Sequence, residues 1–131
     1  MTAKRILIID DDASITRTIK LNLEATGFFD VHQENHAAVA VQTARDLLPD
    51  LILLDVMMPG VHGREVAARL KQEPLLSRTP VVFLTATLSN EITHGSEAFI
   101  DGYDYLAKPV DLNTLVQVIK GYLNGCEVGP A

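Results

Sequence analysis

The chain has 131 residues, 47% of them hydrophobic and 21% charged, the balance of one globular domain with a substantial core and not of a disordered segment. A formal net charge of −6, with no run of Lys and Arg, argues against direct nucleic-acid binding, which wants a basic face. The single cysteine, Cys126, excludes an internal disulfide and a cysteine-based zinc site; with no signal-peptide core and no apolar run of membrane-span length, the expectation is a cytoplasmic protein with no membrane partner.

Ile6-Leu7-Ile8-Ile9 is a continuous apolar run that reads as a strand buried on both faces, and it ends in Asp10-Asp11-Asp12. A helix follows, with Ile15, Ile19 and Leu23 at intervals of four, Asp12 or Ser14 placed to cap its start and Gly27 to close it. Residues 28–33 hold a weaker strand, and 37–48 a second helix that Pro49-Asp50 breaks. Leu51-Ile52-Leu53-Leu54 is the second continuous run; it ends on Asp55, and Pro59-Gly60 turns the chain soon after. Taken alone, Asp55 is as much a turn or cap residue as a presented carboxylate. A helix of good formers spans 64–72. Val81-Val82-Phe83-Leu84 is a fourth strand ending in Thr85, a helix is expected over 91–99, and Tyr105-Leu106-Ala107 is a short fifth strand ending in Lys108-Pro109. The last helix, over 112–123, has the clearest apolar stripe, with Asp111 to cap it. Residues 1–123 thus read as one domain and 124–131 as a loose tail or the start of a linker.

Five strands alternating with five helices argue for an α/β fold: a doubly wound, five-stranded parallel sheet, flavodoxin-like, in the order 2-1-3-4-5. In such a sheet ligands bind beyond the carboxyl ends of the strands. Asp10-Asp11, Asp55, Thr85 and Lys108 occupy four of those ends. Converging carboxylates raise one another's pKa unless a cation intervenes, and magnesium, or another hard divalent cation such as manganese, suits an all-oxygen set. Lys108 adds a point charge for a phosphoryl oxygen and Thr85 a hydroxyl, which together are parts for in-line phosphoryl transfer.

The motifs Ile8-Ile9-Asp10-Asp11-Asp12, Leu54-Asp55-Val56-Met57-Met58-Pro59-Gly60 with Gly63, Leu84-Thr85-Ala86, and Tyr105-Leu106-Ala107-Lys108-Pro109 stand in order at strand ends. With them the chain resembles the response-regulator receiver domains of two-component signalling, the chemotaxis-regulator type included, over nearly its whole length. The resemblance implies that Asp55 is the phosphoacceptor, fed by a sensor histidine kinase or a histidine phosphotransfer protein. It implies that Asp11 holds magnesium directly and Asp10 through water, with Asp55 and the backbone carbonyl of Met57 as further ligands. Lys108 would pair with the phosphoryl group, and the Lys108-Pro109 bond would be cis. Thr85 and Tyr105 would be the switch, the ring turning inward and remodelling the surface of the fourth helix, fifth strand and fifth helix, through which a homodimer or a downstream target could bind. Without those motifs Tyr105 would read as a core aromatic. Such a domain is a signalling phosphoprotein, not a turnover enzyme.

Two departures stand out. From Thr85 to Lys108 the spacing is one residue longer than the family pattern, and Gly102 lies closer to the aromatic. His62 stands where the family often has Asp and reads as a solvated loop residue; His32, His36 and His94 form no zinc pattern. Two rivals remain. One is a phosphate-independent receiver-like module for binding or dimerisation. The other is a haloacid-dehalogenase-type phosphatase, in which Asp10 of Asp10-x-Asp12 would be the nucleophile; the chain is short for that fold.

Overall fold

The computed structural model describes residues 3–85, 97–100, 103–108 and 110–125. Its elements are β1 (Lys4–Ile9), α1 (Ala13–Ala25), β2 (Phe29–Glu34), α2 (Ala40–Leu47), β3 (Leu51–Asp55), β4 (Met57–Met58), β5 (Val61–His62), α3 (Gly63–Gln72), β6 (Val81–Thr85), β7 (Glu97–Ile100), β8 (Tyr103–Ala107) and α4 (Leu112–Gly125). The main sheet runs β2-β1-β3-β6-β8-β7. Its first five members are parallel and stand in the expected 2-1-3-4-5 order.

The continuous apolar runs are explained by burial on both faces. Ile6 and Ile8 of β1, with Leu51 and Leu53 of β3, join Ile19 and Leu23 of α1 and Leu115 and Ile119 of α4 in one cluster. Leu7, Ile9, Ile52 and Leu54 point the other way, to Ala40 and Ala44 of α2 and Val66, Ala67 and Leu70 of α3. The period of two in a strand sends alternate side chains to opposite layers, so a strand covered on both sides must be apolar throughout.

Helix ends follow local chemistry. The Asp12 carboxylate caps α1 by accepting from Ser14 N at 3.0 Å and Ile15 N at 3.3 Å. Asp111 does the same for α4, accepting from Thr114 N at 3.0 Å. The expected helix over 37–48 begins as one 3₁₀ turn, Ala37–Val39, and ends when Leu48 turns left-handed at φ 53. Pro49 supplies a reason, since a residue before proline is pushed out of the right-handed helical region. The loop at Pro59-Gly60 is an antiparallel hairpin of β4 and β5, with Gly60 at φ +76.

One element differs in kind. The expected helix over 91–99 lies outside the described residues up to 96, and Glu97–Ile100 is a strand, antiparallel to β8. Its pairs with β8 run from Glu97 with Leu106 to Ile100 with Tyr103. Hydrogen bonding to β8 thus overrides a weak helical pattern. Four α-helices, not five, stand among the described residues. The helix α4 reaches Gly125, two residues into the segment expected as tail.

Candidate functional site

Parallel pairing brings the carboxyl ends of β1, β3, β6 and β8 to one edge, and Asp10, Asp55, Thr85 and Lys108 gather there. Asp10, Asp55 and Thr85 are buried, Asp10 at only 1% exposure, whereas Asp11 is exposed. One carboxylate oxygen from each of Asp10, Asp11 and Asp55 lies within 4.8 Å of the others. The Lys108 ammonium bridges two of them, at 2.6 Å from Asp10 Oδ2 and 3.1 Å from Asp55 Oδ1. Its backbone N–H donates to the Thr85 carbonyl at 2.8 Å, which fixes the end of β8 beside the end of β6.

Burial pushes the Asp55 carboxyl above its ordinary value, the Asp10 charge adds to the rise, and Lys108 opposes it. Burial alone would lower the Lys108 ammonium; the hydrogen bond it donates to Asp10 and the charges of Asp10 and Asp55 outweigh that and hold the group above its ordinary value. Asp10 is pinned on every side. Its Oδ1 accepts from Asp12 N at 3.0 Å, its backbone N–H donates to Glu34 O, and its carbonyl accepts from Asn35 Nδ2 at 2.8 Å.

The other expected residues fall as follows. Met57 lies two residues past Asp55, in the first strand of the β4–β5 hairpin, with its side chain 67% exposed. Pro59 and Gly60 make the tip of that hairpin. Tyr105 is buried and stacks on Phe83 at 4.9 Å between ring centroids. Its hydroxyl accepts from Arg64 Nε at 2.8 Å. Pro109, and with it the expected cis bond, lies outside the described residues, as does His94. His32 and His36 sit against Asp30 and Glu34.

Three residues near the site carry roles the sequence reading missed. Asn35, at the end of β2, bonds both the Asp10 carbonyl and Thr16 Oγ1. His62 is the N-cap of α3: its Nδ1 accepts from Arg64 N at 3.1 Å while Glu65 reaches back to His62 N at 3.3 Å. The Glu three residues after the cap was a legible capping-box signal, though His is not a favoured cap. For Arg64 no local signal existed.

A sequence model of the response regulator receiver domain matches residues 6–120. The chain therefore belongs to the response-regulator receiver family. It is 40% identical over 129 residues to the phosphate regulon transcriptional regulatory protein PhoB of Pseudomonas aeruginosa, covering 94% of this chain and 53% of that one. The chain spans about half the length of the curated relatives it matches. A putative response regulator from Chloroflexus aurantiacus superposes with a TM-score of 0.79 at 31% identity, covering 93% of this chain and 98% of that one. The signal receiver domain of a modulated diguanylate cyclase from Desulfovibrio desulfuricans, described as an example of alternate folding, gives 0.74 at 28% identity over 98% and 99%. Family membership disfavours the phosphatase reading. Asp12, the second carboxylate of the Asp10-x-Asp12 pattern, is the cap of α1, and both Asp10 oxygens are already engaged.

Proposed function

We propose that Asp55 accepts a phosphoryl group from a phosphohistidine on a sensor histidine kinase or a phosphotransfer protein, and that the charge this adds switches a partner-binding surface. The observation that carries the reading is the Lys108 ammonium held between Asp10 and Asp55, with an Asp11 oxygen within 4.8 Å of an oxygen of each. A carboxylate oxygen of Asp55 attacks phosphorus, the bond from phosphorus to the imidazole nitrogen breaks, and the imidazole leaves with that electron pair. Lys108 is placed to transfer its contact from the carboxylates to a phosphoryl oxygen as negative charge gathers there.

The donor set fits a hard divalent cation, magnesium or manganese: three carboxyl groups, each with an oxygen within 4.8 Å of the others, two of them paired with one ammonium. Asp10, Asp11, Asp55 and the backbone carbonyl of Met57 would hold it. Such a cation supplies neutralisation of the phosphoryl oxygens. Thr85 and Tyr105 are the switch, and the described part of the surface they bias is that of β7, β8 and α4. A downstream target, or a second copy of this chain, would bind there. The receiver unit works in the cytoplasm and assists only its own phosphorylation and dephosphorylation. No helix among the described residues is long and apolar enough to cross a membrane.

Intact-protein mass after incubation with acetyl phosphate tests this. The expected result is one phosphoryl adduct that needs magnesium and is absent from Asp55→Asn. An adduct that survives Asp55→Asn but is lost in Asp10→Asn would make Asp10 the nucleophile, and no adduct at all would favour the phosphate-independent module.

A further inference from the structure

We propose that Arg64 is a positioning residue, which holds the Tyr105 ring in its buried place and ties that place to the loop hanging from Asp55. The second half rests on the phosphoacceptor reading; the first does not.

Arg64 grips Tyr105 in two ways. Its Nε donates to the phenol oxygen at 2.8 Å, and its guanidinium carbon lies 5.7 Å from the ring centroid. The planar fork of arginine can donate in its own plane while its face attracts a π system, which a lysine cannot do from one point charge. Phe83 stacks on the same ring at 4.9 Å with an interplanar angle of 22°. A ring so held keeps both its apolar body and its hydroxyl satisfied when buried.

Satisfying a buried hydroxyl would be a sufficient role for Arg64 if it sat anywhere convenient. Its place in the chain says more. Arg64 is in the first turn of α3, and its own N–H is fixed by His62 Nδ1. His62 pairs with Met57 across the β4–β5 hairpin. Gly63, immediately before it, donates its N–H to the Val56 carbonyl, and a Cβ there would collide with the Asp55 carbonyl oxygen and the Val56 Cα. From Asp55 to the Tyr105 hydroxyl there is thus a continuous chain of bonded or closely packed groups: Asp55 and Val56, Gly63, Arg64, Tyr105. A displacement of Asp55 or Val56 at the end of β3 is passed to Gly63, and so to Arg64 beside it, because no slack exists between Gly63 and those two residues.

The test uses the full chain with 3-fluorotyrosine incorporated. Three tyrosines give three ¹⁹F resonances, and Tyr103→Phe and Tyr122→Phe assign that of Tyr105 by elimination. Broadening by a soluble gadolinium chelate reads the exposure of each ring. In Arg64→Ala, with no phosphodonor, the Tyr105 resonance should move and broaden while that of Tyr103 does not, which separates loss of position from general loosening; Arg64→Lys should restore less than half of the parent position. With acetyl phosphate and magnesium, the parent Tyr105 resonance should shift as the Asp55 adduct forms. Arg64→Ala should still form the adduct, read by mass, and lose more than half of that shift. An Arg64→Ala protein whose Tyr105 resonance and broadening match the parent's overturns the holding role, and an undiminished shift overturns the tie to Asp55. Absence of any adduct on the parent overturns the phosphoacceptor reading and the tie together, while the donor-free comparison still decides whether Arg64 holds the ring.

Discussion

Replacing Lys108 with methionine keeps an unbranched, apolar stem and removes the charge that bridges Asp10 and Asp55. Both carboxylates stay buried, at 1% and 5% exposure, and lose contacts of 2.6 and 3.1 Å. At an effective dielectric of about 20, unit charges about 4 Å apart attract by about 4 kcal/mol. Two such attractions are lost, the desolvation cost of the ammonium is recovered, and the net expected is the range for removing one partner of a buried pair, about 3–5 kcal/mol. Against a domain stability of about 5–15 kcal/mol that loss is a large fraction of the whole. Urea denaturation with a chelator present measures the difference. The Lys108 ammonium is raised above 10.5, so its contribution is fully present below that value and is lost only as the pH climbs through the folded one. The Asp55 carboxyl is raised above 3.8 by burial and by Asp10, so its ionised form is disfavoured by folding, more so once Lys108 is gone. The deficit of Lys108→Met is therefore largest at neutral pH and shrinks as the pH falls toward 3.8. A cost under about 1 kcal/mol at neutral pH, the worth of an exposed pair, would refute the reasoning, as would a deficit that acid does not relieve.

Magnesium at ten times its dissociation constant should stabilise the parent by about 1.4 kcal/mol, and Asp11→Asn should remove most of that gain in a thermal melt. Gly63→Ala drives a methyl into the Asp55 carbonyl and should cost about 1–3 kcal/mol by urea denaturation, where a neutral result would mean that β3 and α3 are not in contact as described. Glu24 and Lys20 on α1 satisfy the N–H and C=O of Val31 on the outer edge of β2, at 3.0 and 2.9 Å. Glu24→Ala should cost about 1–2 kcal/mol and raise concentration-dependent association by light scattering, since it bares a sheet edge. The Val31 N–H, and then Lys20, hold the Glu24 carboxyl below 4.5, so this contribution is present above 4.5 and disappears as the pH falls through the lower, folded value.

The runs 6–9 and 51–54 were legible because a strand buried on both faces leaves an unbroken apolar signature, and each delivered its Asp to the edge where the sheet order places it. Lys108 and Thr85 were legible for the same reason, as polar residues that end buried strands. What escaped the sequence is what depends on distant partners. Arg64 and Tyr105 are 41 residues apart, and no local pattern joins them. The strand at Glu97–Ile100 escaped because a short apolar run has no decisive period; its identity comes from pairing with β8. His62 was read as a solvated loop residue because its function is that of an acceptor to a backbone N–H, which only the helix start reveals.

The strand β8 shows why a charge at its end can be felt far from the site. Its residues alternate: Tyr105 meets Phe83 and Arg64 on the α3 side, while Asp104 accepts from the Tyr122 hydroxyl on the α4 side. Its two edges pair with β6 and β7, and Lys108 extends beyond its carboxyl end. It is thus bonded on both faces and both edges. If a phosphoryl group on Asp55 draws Lys108 off the carboxylates, β8 cannot absorb the pull by sliding alone, because its register to β6 and β7 is fixed by backbone hydrogen bonds. The softer contacts are the side-chain ones, Tyr105 with Arg64 and Asp104 with Tyr122. Those two bonds, one on each face of β8, are where the proposed switching would be released; the first joins β8 to α3 and the second joins it to α4.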